Sequence, residues 1–267
     1  MTKDDRSSPN SDPSPDRLND HFQFQAIGRV RTPFTEKFGT PRQSNLVKDT
    51  TSIFELREDL NPEIFDGLEA YSHVWIVFVF DRNGPTEFRK SKVHPPRLGG
   101  AAVGVFATRS PHRPNPIGLS LARLVRRDGR RLILSGLDLL DRTAILDIKP
   151  HLPSLEHPSE AHEGWSAKIP SKSLEVIWTE SAVADLKRAF QTDAERSQRA
   201  ITQILEQDPR PVVYRGEADA PNPYTSRYGF VHAGWNVVFD MPESTLARVL
   251  GLTPWPASEP EDRPENQ

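Results

Sequence analysis

The sequence predicts a mainly β protein: a closed or sandwich-like β domain followed by a small α+β domain. Two observations carry that prediction. Up to about residue 165, short apolar, β-branched and aromatic runs alternate with Gly, Pro and Asp clusters, and no long helix separates them. Beyond Trp165 the texture changes, and two adjacent segments place apolar residues at helical spacing.

In chain order, Phe24 to Val30 is a short mixed run and Val74 to Phe80 a continuous aromatic and β-branched one. Ala102 to Ala107, Ile117 to Leu124, Arg131 to Leu137 and Ala144 to Ile148 follow as further strands. One helix is expected among them, from Asn61 to Leu68, with Asn61 as N-cap, Pro62 at the first helical position and Gly67 ending it. Leu174 to Trp178 reads as a strand. Glu180 to Phe190 and Asp193 to Glu206 read as helices, the second stopped by Asp208-Pro209-Arg210-Pro211, and Tyr228 to Met241 as one or two strands. The expected organisation is a disordered tail over 1–21, a β domain over 22–165, an α+β domain over 172–255 that packs on it, and an acidic disordered tail over 256–267.

Composition excludes several classes. The chain of 267 residues has no cysteine, so a disulfide framework, a thiolate zinc site and a cysteine nucleophile are ruled out together. The start lacks an apolar signal core and no apolar run is long enough to span a bilayer, so a soluble cytoplasmic protein is expected. No dinucleotide fingerprint, phosphate loop, His-Glu-x-x-His or Gly-x-Ser-x-Gly occurs, and the dispersed histidines argue against a metal. The net charge of −3 hides an asymmetry: Arg82 to Arg131 holds twelve Lys or Arg against Glu87 and Asp128, a local net of +10. Such a window suits a polyanion or is an ordinary solvated surface.

Inside it lies the most informative stretch, Phe106-Ala-Thr-Arg-Ser-Pro-His-Arg-Pro-Asn-Pro-Ile-Gly-Leu-Ser120. Each proline fixes its own φ and pushes the preceding residue toward extended backbone, so the stretch is not helical and Arg109 and Arg113 project from a stiff scaffold. Guanidinium forks suit carboxylate and phosphate. Either this loop holds an anion, or its arginines are merely solvated. Other polar residues gather at expected strand ends: Pro41-Arg42-Gln43, Tyr71-Ser72-His73, Asp81-Arg82, Leu137-Asp138, Asp141-Arg142-Thr143 and Asp147-Ile148-Lys149. Together with the arginine loop they are placed to line one barrel mouth.

These segments resemble the TsaA/TrmO family of tRNA (adenine-N6)-methyltransferases. The matching stretches are Glu36 to Gln43, Gly67 to Trp75, Pro95-Pro96-Arg97-Leu98-Gly99-Gly100, Phe106 to Ser120, Leu137 to Pro153 and the Asp208 to Pro211 tetrapeptide, and the similarity runs from about Phe22 to Met241. The resemblance implies a closed β-barrel catalytic domain, a small C-terminal domain, a homodimer, S-adenosylmethionine as methyl donor and no metal. It also implies the acceptor: N6 of N6-threonylcarbamoyladenosine at position 37, next to the anticodon of threonine tRNAs. By position it implies a cofactor shell of Pro41, Arg42, Gln43, Asp81, Arg82, Arg109, Leu119, Ser135, Gly136, Leu137 and Asp138. The family commonly has His where Asp81 stands, Gly where Arg142 stands and Tyr where His151 stands.

Methyl transfer from a sulfonium needs an in-line approach of the acceptor nitrogen, so positioning is the main task. A carbamoylated N6 is a weak nucleophile whose proton is comparatively easy to remove. The candidate bases are therefore Asp138 and Asp147, with Lys149 or Arg109 countering the developing charge. Lys90, Lys92, Arg97 and Arg113 are expected to meet RNA phosphates, or Arg113 to form a structural pair, and Arg210 and Tyr214 to help orient the modified base. Two alternatives remain at this point: a methyltransferase of the same barrel with another acceptor, and a non-catalytic RNA-binding barrel.

Overall fold

The structure of the protein, a computed structural model, describes residues 22–83, 91–95, 98, 101–168, 173–210 and 227–255. The expected tails 1–21 and 256–267 lie outside the described residues, as do Lys90, Pro96, Arg97, Gly99, Gly100, Pro211 and Tyr214.

Six antiparallel strands close into a barrel. They are β1 (Gly28–Arg31), β2 (Thr51–Leu56), β3 (His73–Val79), β6 (Ile117–Asp128), β7 (Arg131–Ser135) and β8 (Ala144–Pro150), in the order β1-β2-β7-β6-β3-β8. A separate two-residue pair, β4 (Lys92–Val93) with β5 (Val103–Gly104), stands outside it. Strand alternation decides what faces in. In β3, Val74, Ile76 and Phe78 are buried against Phe54, Leu132, Leu134 and Ile145, while His73, Trp75, Val77 and Val79 face out. Closure leaves no open sheet edge.

The second unit is a four-stranded sheet covered by two helices. Its strands are β9 (Glu175–Trp178), β10 (Arg227–His232), β11 (Trp235–Glu243) and β12 (Leu246–Pro254), in the order β10-β11-β12-β9 with β12 parallel to β9. A single-turn helix α1 (Pro153–Glu156) precedes it, and α2 (Glu180–Phe190) and α3 (Ala194–Glu206) connect β9 to β10. Helix α2 starts where Thr179 Oγ1 accepts from the Ala182 amide, and its apolar residues Ala182 and Leu186 turn to the sheet.

Several expectations need correction. The helix over Asn61 to Leu68 is only a 3-10 turn, Pro62–Phe65: Asn61 does cap it, but Asp66 returns to extended backbone and Gly67 takes φ 83°. The strand over Ala102 to Ala107 shrinks to Val103–Gly104, because only two residues of β4 pair with it, and a 3-10 turn follows at Val105–Ala107. The first strand begins at Gly28 rather than Phe24, and β2 and β12 were not anticipated.

The two units share one core. Phe34 and Val47, from the long β1–β2 connection, are buried among Leu186, Ile201, Leu205, Phe230, Phe239 and Val249 of the C-terminal unit. Gly39 sits at φ 85° with the Phe230 ring so close that a Cβ would fall 2.5 Å from it, so only glycine fits. Asp49 completes the join: its carboxylate accepts from Arg199 Nε (3.0 Å) and Gln203 Nε2 (2.7 Å), and its carbonyl accepts from Arg196 Nε (2.9 Å).

His232 lies in this shared core, 4% exposed, edge-on to Phe34 and tilted against Phe190, with no hydrogen-bond partner for Nδ1. Burial pushes its imidazole down to about 4 from 6.5. The unfolded chain therefore binds a proton as pH drops below 6.5 while the folded chain does not until about 4. Stability from this residue is complete above 6.5 and is lost down to about pH 4, by roughly 3 kcal/mol across the window. Urea midpoints measured from pH 7 to 4 should show that loss in the wild type, and a His232→Phe variant should lack it.

Candidate active site

The end of the barrel beside the β1–β2 connection holds a cavity of about 300 Å³. Three segments meet there: Phe78 to Arg82 at the end of β3, Asp138 to Leu140 after β7, and Thr40 to Arg42 of the connection, with Pro111 of the arginine-proline run at the rim. Of the expected cofactor residues, Pro41, Arg42, Asp81, Arg82 and Asp138 line it. Arg42 also lines an adjoining groove of about 740 Å³, shared with Gln43, Arg109, Phe106 and Trp165. A larger hollow of about 860 Å³ lies beside β1 and β2 and contains none of these residues.

The turn after β7 is set by a backbone constraint. Gly136 sits at φ 79°, and a Cβ there would meet Asn45 Oδ1 at 2.9 Å; the Asn45 amide in turn donates to Gly136 O (2.8 Å). Ser135 Oγ donates to Lys48 O (2.9 Å), and Leu137 is fully buried in the barrel core. The side chains of Ser135 and Leu137 are thus used to fasten the turn to the connection and the core, and the turn delivers Asp138 to the cavity.

Asp138 is the electrostatic centre. Its Oδ1 accepts from Ser120 Oγ at 2.5 Å, and Ser120 is itself buried on the inward face of β6. Burial holds the Asp138 carboxyl above its ordinary range, opposed by that hydrogen bond and by the nearby Arg109 guanidinium. Arg109 donates from Nη1 to Gln43 Oε1 (2.7 Å), and Arg42 from Nη2 to the carbonyl of Asp208 (3.0 Å), so the corner after α3 braces a cation at the cavity. Arg82 is turned to the carbonyls of Thr35 (3.3 Å) and Asp141, clasping two loops. Asp81 is exposed at the rim, 3.8 Å from Arg29 Nη1.

Three expected residues are placed elsewhere. Leu119 is 55% exposed on the outer barrel face, opposite Val77 of β3. Asp147 lies opposite Val77 on the other side and pairs with Lys149 at 2.8 Å, so Leu119, Asp147 and Lys149 share that outer face and line neither cavity. Arg113 donates from Nη1 to the loop's own carbonyls, Thr108 O and Ser110 O, both at 3.2 Å, and so braces the loop. Arg210 is 7% exposed and bound to Asp208 through Nε (2.8 Å) and Nη2 (3.1 Å), with Tyr228 beneath it; it braces the corner. Lys92 is exposed on β4. Sequence reasoning missed Ser120, whose signal was its place in the inward set of an alternating strand, and Trp165. Among the described residues, no three His, Asp or Glu are grouped to hold a metal ion, and no helix is long and apolar enough to cross a membrane.

Comparison with known proteins adds the family. Residues 29–157 match the tRNA-methyltransferase O N-terminal domain and residues 171–255 the TrmO C-terminal domain. The chain is 42% identical over 205 residues to the tRNA (adenine(37)-N6)-methyltransferase of Escherichia coli K12, covering 73% of this chain and 85% of that one. It is 39% identical over 228 residues to the putative S-adenosylmethionine-dependent methyltransferase RcsF of Pseudomonas aeruginosa, covering 85% and 95%. The crystal structure of TrmO from Pseudomonas aeruginosa superposes with a TM-score of 0.70 at 34% identity, over 87% of this chain and 99% of that one.

A buried carboxylate with a raised pKa costs stability at neutral pH, where it is forced to ionise, and returns it as pH falls through the raised value. Asp138→Asn should therefore raise the urea midpoint at pH 7, with the gap to wild type closing as pH is lowered toward 4. An Asn variant less stable than wild type at pH 7 would show that Asp138 is held chiefly as an ion-pair partner.

Proposed function

This chain belongs to the tRNA-methyltransferase O family, and from that premise we propose that it methylates N6 of adenosine 37 in tRNA with S-adenosylmethionine as donor. The acceptor is N6-threonylcarbamoyladenosine in threonine tRNAs, and the protein acts in the cytoplasm as a homodimer. Residues 22–165 form the cofactor-binding unit and residues 172–255 the unit that braces it. The observation that carries the reading is Asp138, a half-buried carboxylate held by Ser120 at a cavity wall and flanked by two braced guanidinium groups.

The residues present fit the cofactor. Phe80, Leu139 and Leu140 offer apolar walls for a purine, Arg42 and Arg109 donors for an amino-acid carboxylate, and Asp138 a counter-charge for a cation. The backbone of Ser135 to Asp138 supplies groups for the adenine edge. When bound, S-adenosylmethionine provides a methyl group already activated for displacement. Asp138 then takes the N6 proton: a carboxyl pushed up by burial is a stronger base than an exposed one, and Arg109 offsets the charge that appears on the carbamoyl group. Because Leu119, Asp147 and Lys149 share the outer face, we assign their part in the site to the dimer, with the exposed Ile117 and Leu119 as its apolar contact.

Nucleoside mass spectrometry of tRNA from cells lacking the protein should show loss of the methylated threonylcarbamoyladenosine, restored by wild type; an unchanged level would sink the proposal. Asp138→Asn should lower turnover by about 100-fold or more, and an equal loss in Asp147→Asn alone would move the base to the outer face. Sedimentation equilibrium should find a dimer that Leu119→Glu converts to monomer, and a monomeric wild type would overturn that assignment.

A further inference from the structure

We propose that Phe106 is the platform on which the target base stacks after leaving the anticodon loop, and that Trp165, from the segment joining the two units, is the strut that holds it. The proposal rests on the tRNA-methyltransferase reading above.

Phe106 is 76% exposed, yet it sits on an ordered turn. Val105 beside it is buried, and both the amide and the hydroxyl of Thr108 donate to Val105 O (3.1 and 2.8 Å). Among the described residues, the ring is in contact with a cation and otherwise largely exposed on a fixed scaffold. Trp165 Nε1 donates to the carbonyl of Ala107 at 2.8 Å, next in sequence to Phe106. Trp165 is held in turn by its own 3-10 turn, where the amide and hydroxyl of Ser166 both donate to Glu163 O (3.2 and 2.7 Å). The Arg113 guanidinium, fixed by Thr108 O and Ser110 O, lies over the Phe106 ring at 6.0 Å. A cation thus lies over the ring, and the exposure of the residue leaves ring surface for a second π system.

The groove around this ring, about 740 Å³, is roomy enough for a nucleoside and is lined by Arg42, Arg109 and Glu163, a net positive charge. It meets the cavity of Asp138 at Arg42, so a base stacked on Phe106 lies beside the reacting centre. A single-stranded RNA base is the occupant this combination fits: an aromatic face for stacking, and cations for phosphate or a carboxylate-bearing substituent.

Unmethylated tRNA from cells lacking the protein serves as substrate for wild type, Phe106→Ala, Phe106→Tyr and Trp165→Phe, with S-adenosylhomocysteine affinity measured by calorimetry. Losing one stacking contact should raise the KM and the Kd for tRNA roughly 5- to 150-fold in Phe106→Ala. Phe106→Tyr should stay near wild type, Trp165→Phe should fall between, and S-adenosylhomocysteine affinity should hold in all three. Ile64→Ala, which removes another exposed apolar side chain outside the groove, should change nothing. An active wild type matched by Phe106→Ala in tRNA KM and Kd overturns this inference alone. So does a Phe106→Ala variant that loses S-adenosylhomocysteine affinity while keeping that for tRNA. A wild type that leaves tRNA unmethylated overturns the preceding function and this inference with it.

Discussion

The carboxylate of Asp49 accepts from Arg199 and Gln203 on helix α3, while the Gln203 carbonyl oxygen accepts from the amides of Lys48 and Asp49. This reciprocal bond ties the end of the β1–β2 connection to the C-terminal unit. The same connection is tied to the barrel on its other side, through Asn45 to Gly136 and Leu121 and through Lys48 to Ser135. A loop with no strand or helix of its own is thereby fixed at both flanks. Pro41, Arg42 and Gln43 ride on it, so the geometry of the site depends on polar contacts from two units rather than on local backbone preference.

Asp138 concentrates what that scaffold makes possible. A carboxylate withdrawn from water costs stability, and Ser120 and Arg109 offset only part of that cost. The surrounding groups show a division of labour among similar residues. Arg82, Arg113 and Arg210 bond backbone carbonyls or the Asp208 carboxylate and hold loops in place, Arg82 from the cavity wall itself, whereas Arg42 and Arg109, each with a braced nitrogen, both line the groove. Residue type alone does not separate these two uses of arginine.

Legibility in the sequence followed the range of the forces involved. Helix α2 was read to its final residue because cap, apolar period and length are all local, and the Asn61 cap was read for the same reason. Strands β2 and β12 escaped because β2 follows a polar stretch and β12 runs through Gly251 into Pro254, so their identity comes from partners far away in sequence. The arginine-proline loop was legible as a rigid scaffold, and the residues separate its arginines as the resemblance does, with Arg109 at the groove and Arg113 on the loop's own carbonyls. The position of Asp147 was hidden by a bulge: the β3–β8 register shifts between Val77 and Phe78, so parity counted along β8 does not tell inward from outward. Arg142 is a converse case. Its φ of 64° accounts physically for the glycine usual at that position in the family the sequence resembles.

The shared core has a consequence in time. Phe34 and Val47 emerge from the ribosome roughly 200 residues before Val249 and Leu252, the side chains they pack beside. At synthesis rates of about 5–20 residues per second, the barrel segment waits on the order of ten seconds or more with that apolar connection uncovered. A nascent chain of this protein is thus a natural client for chaperones at the exit tunnel. The loop that carries Pro41, Arg42 and Gln43 reaches its final shape only when translation is nearly over.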